Sequence, residues 1–346
     1  MINVAIIGAT GYAGQELVRL LYRHPDVNLI SVGSRSYSGQ PLQDVYPLYN
    51  KISNILCEKD DIQDLSKRAD VIFLALPHGI ASKKVTSRIL EDTKIIDLGA
   101  DFRLKDLSIY KEWYQVDHWG KDILKEAVYG LCELHREKIK DARLLANPGC
   151  YTTCSILTLA PLIVNHVIDL SSIIIDAKSG VTGAGRNGQL PFMYCECNES
   201  VKAYKVACHR HTPEIEQELA ALCDQDIRLL FTPNLVPMNR GILSVCYADL
   251  LKDIDEGTLR QMYREYYKNE YFIRLTEDKL PETRWVKGSN FCDIGLKIDP
   301  RTKKVIAIGA IDNLIKGAAG QAIQNMNLMF GLDEKTGIDL VTDFPV

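Results

Sequence analysis

The most restrictive feature of the chain is a glycine-rich turn between a buried strand and a helix. Residues 3–7 form a continuous apolar run of the kind found in parallel strands, and residues 15–22 have the spacing of an amphipathic helix. Between them, Gly8, Gly11 and Gly14 permit a tight turn and close approach of the backbone to a phosphate. Although the spacing is GxxGxxG rather than GxGxxG, this context predicts an α/β protein with an N-terminal Rossmann dinucleotide-binding domain.

The end of the second predicted strand indicates which dinucleotide is bound. Residues 28–33 read as a strand, after which an NAD enzyme usually carries an acidic residue for the ribose hydroxyls. Here the chain has Ser34, Arg35 and Ser36, and two hydroxyls with a guanidinium suit a 2′-phosphate. The sequence therefore favours NADP(H), the alternative being that Arg35 is an ordinary solvated loop residue.

Two further predicted strands, 69–76 and 94–98, end in polar loops. In an open α/β sheet, ligands bind beyond the carboxyl ends of the strands, where residues 77–79 and 99–103 would lie. Arg103 is thus a candidate clamp for a phosphate or carboxylate. His78 lies in the same region, but a histidine there is more typical of packing than of catalysis.

A cysteine stands at a second strand-to-helix turn. The apolar run 143–146 has strand length, and residues 155–163 have the spacing of a buried helix. The turn between them contains Asn147, Pro148, Gly149 and Cys150. A thiol at a helix start has its thiolate favoured by the helix dipole and can attack a carbonyl. The alternative is an inert, buried structural cysteine.

The second half of the chain carries a glycine-rich loop and a pair of histidines. After a predicted strand at 172–177, residues 178–186 combine glycines, hydroxyls and cations, which suits either an anion-binding loop or a hairpin. His209 and His211 precede a predicted helix with Thr212 as its N-cap and Pro213 at its first position. A metal site at these histidines, with Cys208 or Glu214 as further ligands, is a weaker alternative because no set of four ligands is evident.

Strand-like runs at 242–248, 291–298 and 304–311 predict a second domain built on a mixed or antiparallel sheet, in which the last two runs resemble a hairpin. With 346 residues, 46% of them apolar, the chain is long enough for two substantial cores. These features predict an α/β chain whose second, α+β domain follows the nucleotide-binding domain.

The charge and cysteine content exclude several classes of protein. A net charge of -4 and a pI near 6.0 provide no basic surface for nucleic acid or an anionic membrane. The N-terminus enters a strand without a signal-type segment, and the ten cysteines lack a paired CxxC framework. We therefore expect a cytoplasmic protein with neither a disulfide lattice nor a bound metal.

Taken together, these segments resemble the N-acetyl-γ-glutamyl-phosphate reductase family of arginine biosynthesis, a relative of aspartate-semialdehyde dehydrogenase. The resemblance implies a Rossmann domain at 1–149, a catalytic and dimerisation α+β domain at 150–311, and a C-terminal helix at 312–346 that packs back on the first domain. It rests on the following stretches: 8–14, 34–36, 76–79, 97–103, 147–151, 179–186, 209–214 and 312–321.

The resemblance also implies the site. It makes Cys150 the nucleophile and His211 the general acid/base, with His209 and Glu214 beside them. The implied substrate contacts are Arg103, Asn147, Ser179 and Arg186. The implied NADP(H) contacts are Gly8, Thr10, Gly11, Tyr12, Ala13, Gly14, Ser34, Arg35, Ser36, Pro77, Gly183 and Asn313.

The implied reaction is reduction of a small acyl phosphate by NADPH through a cysteine thioester, with release of inorganic phosphate, in a homodimer or homotetramer. Cys132 and Asn234 depart from the family pattern, where proline and histidine are usual, and both lie outside the implied chemistry. Two related activities remain open, on aspartyl phosphate and on the N-modified aminoadipyl phosphate of lysine synthesis. A non-catalytic NADP(H) sensor is the alternative from a different class.

Overall fold

The computed structural model describes residues 1–342 and contains two seven-stranded sheets within that range. The strands are β1 Ile2–Ile7, β2 Val27–Gly33, β3 Cys57–Glu58, β4 Val71–Leu74, β5 Lys94–Asp97, β6 Ala127–Tyr129, β7 Leu144–Ala146, β8 Ile174–Ser179, β9 Lys202–Ala203, β10 Leu230–Leu235, β11 Ile242–Asp249, β12 Ile273–Leu275, β13 Cys292–Asp299 and β14 Lys304–Ile311.

Helices connect most of these strands. They are α1 Tyr12–Leu21, α2 Leu42–Val45, α3 Ile62–Leu65, α4 Ala81–Lys84, α5 Ser87–Asp92, α6 Leu107–Tyr114, α7 Lys121–Leu124, α8 Cys132–Lys140, α9 Cys150–Val164, α10 Tyr194–Cys197, α11 Thr212–Cys223, α12 Glu256–Tyr266 and α13 Gly320–Met329. Short 3₁₀ turns occur at Pro47–Tyr49, Leu170–Ser172, Val181–Ala184, Leu190–Phe192 and Thr283–Trp285, and a π-helix occurs at Ile315–Ala319.

The contacts between residues divide the chain into two compact units. The first contains Met1–Pro148 and Ala318–Asp339, and the second contains Gly149–Gly317. Helix α13 lies in the first unit, where it packs against α8 and α1. Of the C-terminal segment expected at 312–346, residues 312–317 and 340–342 belong to the second unit, and residues 343–346 lie outside the described residues.

The first unit is built on a parallel sheet with the order β3-β2-β1-β4-β5-β7-β6. Strand β1 pairs in parallel with both β2 and β4. Strands β2 and β3 therefore lie on one side of β1, and the strands from β4 onward lie on its other side. Residues 4–7 and the whole of β4 are buried, as expected of parallel strands covered on both faces. The crevice beyond the carboxyl ends of β1 and β4 is where such sheets bind nucleotides.

The second unit is built on a mixed sheet with the order β12-β13-β14-β11-β8-β10-β9. Strands β13 and β14 form the antiparallel hairpin expected from the sequence, and β8 pairs in parallel with β10. Helix α9 packs against β11 and β14, and α11 packs against α9. Burial alternates along β11, because one face of the sheet lies under α9 and the other is half-exposed.

The predicted fold class is confirmed: a Rossmann-like parallel sheet and a separate mixed sheet are both present. The predicted strand runs of the first half coincide with β1, β2, β4, β5 and β7, although β1 and β2 each begin one residue earlier than predicted. The sequence reasoning did not identify β3 and β6, which are edge strands of two and three residues. Edge strands this short bury too few side chains to produce a recognisable apolar pattern in the sequence.

A buried carboxyl at the end of β5 makes the first unit sensitive to pH. Asp97 is fully buried, its Oδ1 accepts a hydrogen bond from the Gly99 amide, and its Oδ2 has no hydrogen-bond partner among residues 1–342. Burial, with a smaller contribution from the nearby Asp101 carboxylate, raises the pKa of Asp97 from 3.8 to about 7. The folded protein therefore favours the protonated carboxyl.

We expect Asp97→Asn to flatten the dependence of stability on pH. For a carboxyl with a raised pKa, the stabilising contribution is complete below pH 3.8 and is lost as the pH rises to about 7. Between pH 5 and 8 the wild type should thus lose about 2.6 kcal/mol of unfolding free energy that the variant does not lose. Urea unfolding at several pH values measures this difference.

The matched control is Asp106→Asn, since hydrogen bonds from Ser108 lower the pKa of that exposed carboxyl. Its effect should be confined to acidic pH, so the control should follow the wild type between pH 5 and 8. Parallel curves for wild type and Asp97→Asn over this range would show that Asp97 does not titrate there.

Candidate active site

The glycine turn of the first unit has the geometry of a phosphate-binding turn. Gly8 has a φ of +83°, and a Cβ on it would lie 2.3 Å from the Ala75 carbonyl oxygen. A Cβ on Gly14 would lie 2.2 Å from the Gly8 oxygen, so the start of α1 packs directly on the turn. Around Gly11, in contrast, the closest atom to such a Cβ is 3.7 Å away. The turn is therefore closed against the sheet and open at its centre, which fits a bound pyrophosphate.

Helix α1 begins three residues earlier than the sequence suggested. Gly11 is the residue before the helix, and Tyr12, Ala13 and Gly14 form its first turn. The first amides of a helix have no partner inside that helix, so Tyr12 and Ala13 are suited to hold a phosphate through their backbone. Thr10 lies in the turn itself, and its hydroxyl is 2.9 Å from the Ser34 hydroxyl.

The three residues expected at the 2′-phosphate lie in different environments. Ser34 is buried with its hydroxyl against Thr10, whereas Arg35 and Ser36 are exposed. The Arg35 Nε lies 3.7 Å from Oδ2 of Asp60, an acid that follows β3 and that the sequence reasoning did not identify. Burial raises the pKa of Asp60, and the Lys84 and Arg35 cations oppose that shift. Arg35 is thus beside an acidic group but open to a ligand.

Arg103 and Asn147 lie at the carboxyl ends of β5 and β7 and contact the backbone. The Arg103 guanidinium donates to the carbonyl oxygens of Asn147 and Leu98, each at 2.8 Å. The Asn147 side chain donates to the Ala318 carbonyl and accepts from the Asn325 amide, each at 3.1 Å. Both residues therefore brace the loops at this end of the sheet. Pro77, after β4, is exposed.

In the second unit, Cys150 is the first residue of α9 and carries a partly exposed thiol. The helix begins five residues before the predicted start at 155, and Gly149 precedes it. The buried Glu214 carboxylate accepts hydrogen bonds from the Gly149 amide at 2.9 Å and from the Thr152 hydroxyl at 3.0 Å. Glu214 therefore anchors the helix end that carries the thiol.

The two histidines and Tyr151 form an aromatic cluster next to Cys150. The ring centroids of His209 and His211 are 4.8 Å apart, and the Tyr151 ring lies 5.5 Å from His209 and 5.9 Å from His211. Tyr151 follows Cys150 directly on α9, and Glu214 follows the histidines on α11. The packing of α11 on α9 thus brings together the four residues for which the sequence predicted a catalytic role.

The expected capping of α11 is wrong by one residue. Thr212 is the first residue of the helix, and His211 takes the cap position without a hydrogen bond from its side chain to the described helix. Pro213 lies in the first turn, where a missing amide hydrogen has no cost. The imidazole of His211 is therefore not engaged in capping.

His209 has a defined protonation state. Its Nδ1 accepts a hydrogen bond from the His211 amide at 3.2 Å. Burial first, and then the positive charges of His211, Lys205 and Arg210, lower the pKa of His209 to about 2. His209 is therefore neutral near pH 7, and since Nδ1 is an acceptor, its proton is on Nε2.

Two tyrosine hydroxyls near the thiol were not found by sequence reasoning. The Tyr204 hydroxyl donates to the Tyr151 hydroxyl at 3.1 Å. Burial raises the pKa of Tyr204 to about 12 and that of Tyr151 further, and a negative charge on Cys150 would raise both. Tyr151 was adjacent to the predicted nucleophile, whereas nothing in the sequence around Tyr204 marked it.

The glycine-rich loop after β8 contains the other predicted residues of this unit. Ser179 is buried, and a Cβ on Gly183 would lie 3.6 Å from its hydroxyl. The Asn313 side chain accepts from the Gly241 amide at 2.8 Å and donates to the Thr182 hydroxyl at 3.0 Å. Asn313 thus ties this loop to the start of β11, and Arg186 is exposed.

Within residues 1–342, no group of three or more His, Cys, Asp or Glu side chains is arranged to hold a metal ion. Over the same range, no helix has both the length and the apolar character needed to cross a membrane.

Comparisons with family models define the class of protein. Residues 3–142 match the semialdehyde dehydrogenase NAD binding domain, and residues 150–313 match the semialdehyde dehydrogenase dimerisation domain. Similar solved structures include aspartate semialdehyde dehydrogenase II of Vibrio cholerae, with a TM-score of 0.73, 17% identity and coverage of 96% of this chain and 98% of that one. The NADP complex of the Candida albicans enzyme has a TM-score of 0.67 and 14% identity, covering 95% and 99%. The chain has the semialdehyde dehydrogenase fold.

Curated relatives narrow this class to one family. N-acetyl-gamma-glutamyl-phosphate reductase of Lachnospira eligens is 55% identical to this chain, with full coverage of both. The protein of the same name from Campylobacter jejuni is 54% identical over 97% of this chain and 98% of its own. The chain belongs to the N-acetyl-gamma-glutamyl-phosphate reductase family.

The exposed guanidinium of Arg35 generates a prediction about cofactor choice. Arg35→Ala should weaken NADPH binding by about 1.5–3 kcal/mol more than NADH binding, which is the usual contribution of a charged hydrogen bond to phosphate. Titration of the protein with each cofactor, followed by fluorescence or calorimetry, measures this difference without turnover.

Arg23→Ala is the matched control, because Arg23 is equally an exposed arginine but precedes β2, at the opposite end of the strand. Its removal should leave both affinities unchanged. Equal losses of NADPH and NADH affinity in Arg35→Ala would mean that Arg35 does not contact the 2′-phosphate.

Proposed function

We propose that this enzyme reduces N-acetyl-glutamyl 5-phosphate to N-acetyl-glutamate 5-semialdehyde and phosphate, using NADPH and a thioester on Cys150. The observation that carries the proposal is the position of Cys150 at the start of α9, directly before Tyr151, whose ring contacts the rings of His209 and His211. Relatives at 51–55% identity over nearly the whole chain support acetyl-glutamyl phosphate over the aspartyl and aminoadipyl alternatives.

The first step forms the thioester. The Cys150 thiolate attacks the acyl carbon, the bond to the phosphate oxygen breaks, and phosphate leaves with that electron pair. Negative charge develops on the carbonyl oxygen during the attack, and the amides of the first turn of α9 are suited to stabilise it. Glu214 contributes by holding the Gly149 end of the helix in place.

NADPH, when bound, supplies the hydride that reduces the thioester carbonyl. The open glycine turn and the first amides of α1 suit its pyrophosphate, and Arg35 with Ser36 suits its 2′-phosphate. Thr10 and Ser34 shape the turn through their mutual hydrogen bond, and Pro77, Gly183 and Asn313 complete the set of residues that we assign to the cofactor.

His211 is assigned the proton transfers. It takes the thiol proton before attack and returns a proton to the oxygen of the reduced intermediate, whose collapse releases the semialdehyde and restores the thiol. His209 is unsuited to this role because it remains neutral near pH 7 and its Nδ1 is used by the His211 amide. Its Nε2–H is a fixed donor, suited to orient a substrate oxygen.

The proposed substrate is an anion. Two cationic side chains, Lys205 and Arg210, lie near His209. Lys205 and Arg210 lie close enough to His209 to lower its pKa, so they contribute positive potential next to the site. We assign Ser179, Arg186, Arg103 and Asn147 to substrate binding. The last two act through the loops that they brace.

The half-exposed face of the second sheet supports assembly as a homo-oligomer. Val245 and Tyr247 of β11 lie opposite Ile308 and Ile306 of β14, and all four are only partly buried. An apolar sheet face of this kind is typical of an interface. We propose that a second copy of the chain covers this face, as the matched dimerisation domain suggests.

We also propose that the protein is cytoplasmic.

We further propose that the sequence-based division describes the functional domains. In that division residues 1–149 bind the nucleotide, residues 150–311 carry the chemistry and the subunit interface, and the segment from 312 completes the nucleotide-binding domain.

The direct test is phosphate-dependent reduction of NADP⁺ by three aldehydes. N-acetyl-glutamate 5-semialdehyde should be preferred over aspartate semialdehyde and over the homologue with one more carbon. Cys150→Ser should abolish turnover while NADPH still binds, because the serine hydroxyl is not ionised near neutral pH. Preference for another aldehyde would change the substrate, and no turnover with any of the three would support the NADP(H) sensor.

The assignment of the two histidines gives a separate prediction. His211→Asn should lower turnover by roughly 10²–10⁴-fold and remove the limb of the pH–rate profile that depends on the acid/base group. His209→Asn should retain that limb and act mainly on substrate affinity or local order, because His209 does not titrate near neutral pH. Each variant is the control for the other, and the reverse pattern would exchange the two roles.

A further inference from the structure

Gly317 packs directly on the nucleophilic cysteine. A Cβ on Gly317 would lie 2.7 Å from the Cys150 Cβ and 3.1 Å from the Cys150 Cα. Carbon atoms do not approach to 2.7 Å without one of them moving, and here the neighbour is the backbone and first side-chain atom of a helix. The absence of a side chain at residue 317 therefore allows the Cys150 Cβ to occupy its position.

The backbone of Gly317 is itself fixed. It belongs to the π-helix Ile315–Ala319, and its amide donates to the Asp312 carbonyl oxygen at 3.0 Å, five residues back. Isolated π-helical turns are rare and are frequent at functional sites. This turn places Gly317 against Cys150 rather than leaving it in solvent.

The Asp312 carboxylate holds the start of this turn. It is fully buried, and its Oδ1 accepts hydrogen bonds from the Leu314 and Ile315 amides at 2.8 and 3.2 Å. Its Oδ2 accepts from the Gly288 amide at 2.7 Å and lies 3.7 Å from the Arg240 guanidinium. The π-helical turn is thus tied to two other segments of the second unit.

Cys150 is consequently held from two directions. Glu214 fixes the backbone amide of Gly149, one residue before it, and Gly317 limits where its Cβ can lie. Since the sulfur is bonded to this Cβ, a displacement of the Cβ by a few tenths of an ångström changes the line along which the sulfur approaches a carbonyl carbon. Rates of such reactions fall steeply with small errors in approach.

We propose that Gly317, held in its π-helical turn by Asp312, is a positioning residue that aims the Cys150 sulfur at the acyl carbon. This inference rests on the proposed function, in which Cys150 is the nucleophile. Gly317 acts through the Cβ and Cα of Cys150. Its effect is on the efficiency of attack, so it should appear in kcat and in the reactivity of the thiol rather than in substrate affinity.

The test is Gly317→Ala, measured in two ways. We expect kcat to fall about 10–100-fold with little change in KM, because the added methyl group displaces Cys150. The rate at which iodoacetamide alkylates Cys150, followed by mass spectrometry of its peptide and recorded against pH, should change in the same variant. Alkylation needs no substrate, so this second measurement does not depend on which acyl phosphate the enzyme uses.

Gly295→Ala is the matched control. A Cβ at Gly295, in β13 of the same unit, would lie 2.5 Å from the Pro281 ring, so the steric strain is similar but falls on Pro281 instead of Cys150. The two variants should have similar losses in thermal unfolding midpoint, yet only Gly317→Ala should lose kcat and alter alkylation. Equal behaviour of the two variants in kcat and alkylation would overturn the proposal.

If Gly317→Ala does not fold, Asp312→Asn is the variant that tests the proposal. It keeps an oxygen acceptor for the Leu314 and Ile315 amides, but an NH₂ group replaces the oxygen that accepts from the Gly288 amide and faces Arg240. We expect a smaller change in the same direction, and normal kcat with normal alkylation of Cys150 would overturn the proposal. Retained activity in Cys150→Ser would instead refute the proposed function itself, so the two failures are distinguishable.

Discussion

The buried carboxylate of Glu214 determines where α9 begins, and the arrangement of the second unit depends on that. It accepts a hydrogen bond from the Gly149 amide, a donor that has no partner within the helix, and another from the Thr152 hydroxyl. A buried carboxylate is costly unless such donors compensate it, so the helix end and the acid stabilise each other. The position of Cys150 as the first residue of the helix follows from this interaction.

The fold was predictable where the pattern of the chain is local. The run leading into Gly8 and the hairpin formed by β13 and β14 were both identified, because burial on two faces or on alternate faces marks a strand directly. The start of α9 at 150 instead of 155 was missed, since Thr152 and Thr153 look unfavourable for a helix. Their hydroxyls bond back to Gly149, which makes them compatible with its first turn.

The site was predictable only in part, for a similar reason. Cys150, His211 and Glu214 stand in short motifs whose residue types indicate their chemistry. Tyr204 and Asp60 do not, because they reach their places through sheet pairing between distant segments: β9, just before Tyr204, pairs with β10, and β3, just before Asp60, pairs with β2. No property of the sequence around either residue reports that pairing. The raised pKa of Asp97 likewise depends on burial that only the folded sheet creates.

The short distance along the chain between His211 and Glu214 has a mechanical consequence. Both residues stand at the start of α11, one directed at the aromatic cluster and the other at the start of α9. A rigid displacement of α11 therefore moves His211, the proposed proton-transferring group, together with Glu214, which anchors the start of α9. Substitutions in the body of α11 that shift the helix as a whole would keep the distance between His211 and Glu214, and they would pull on the start of α9 through the hydrogen bond from Gly149 to Glu214.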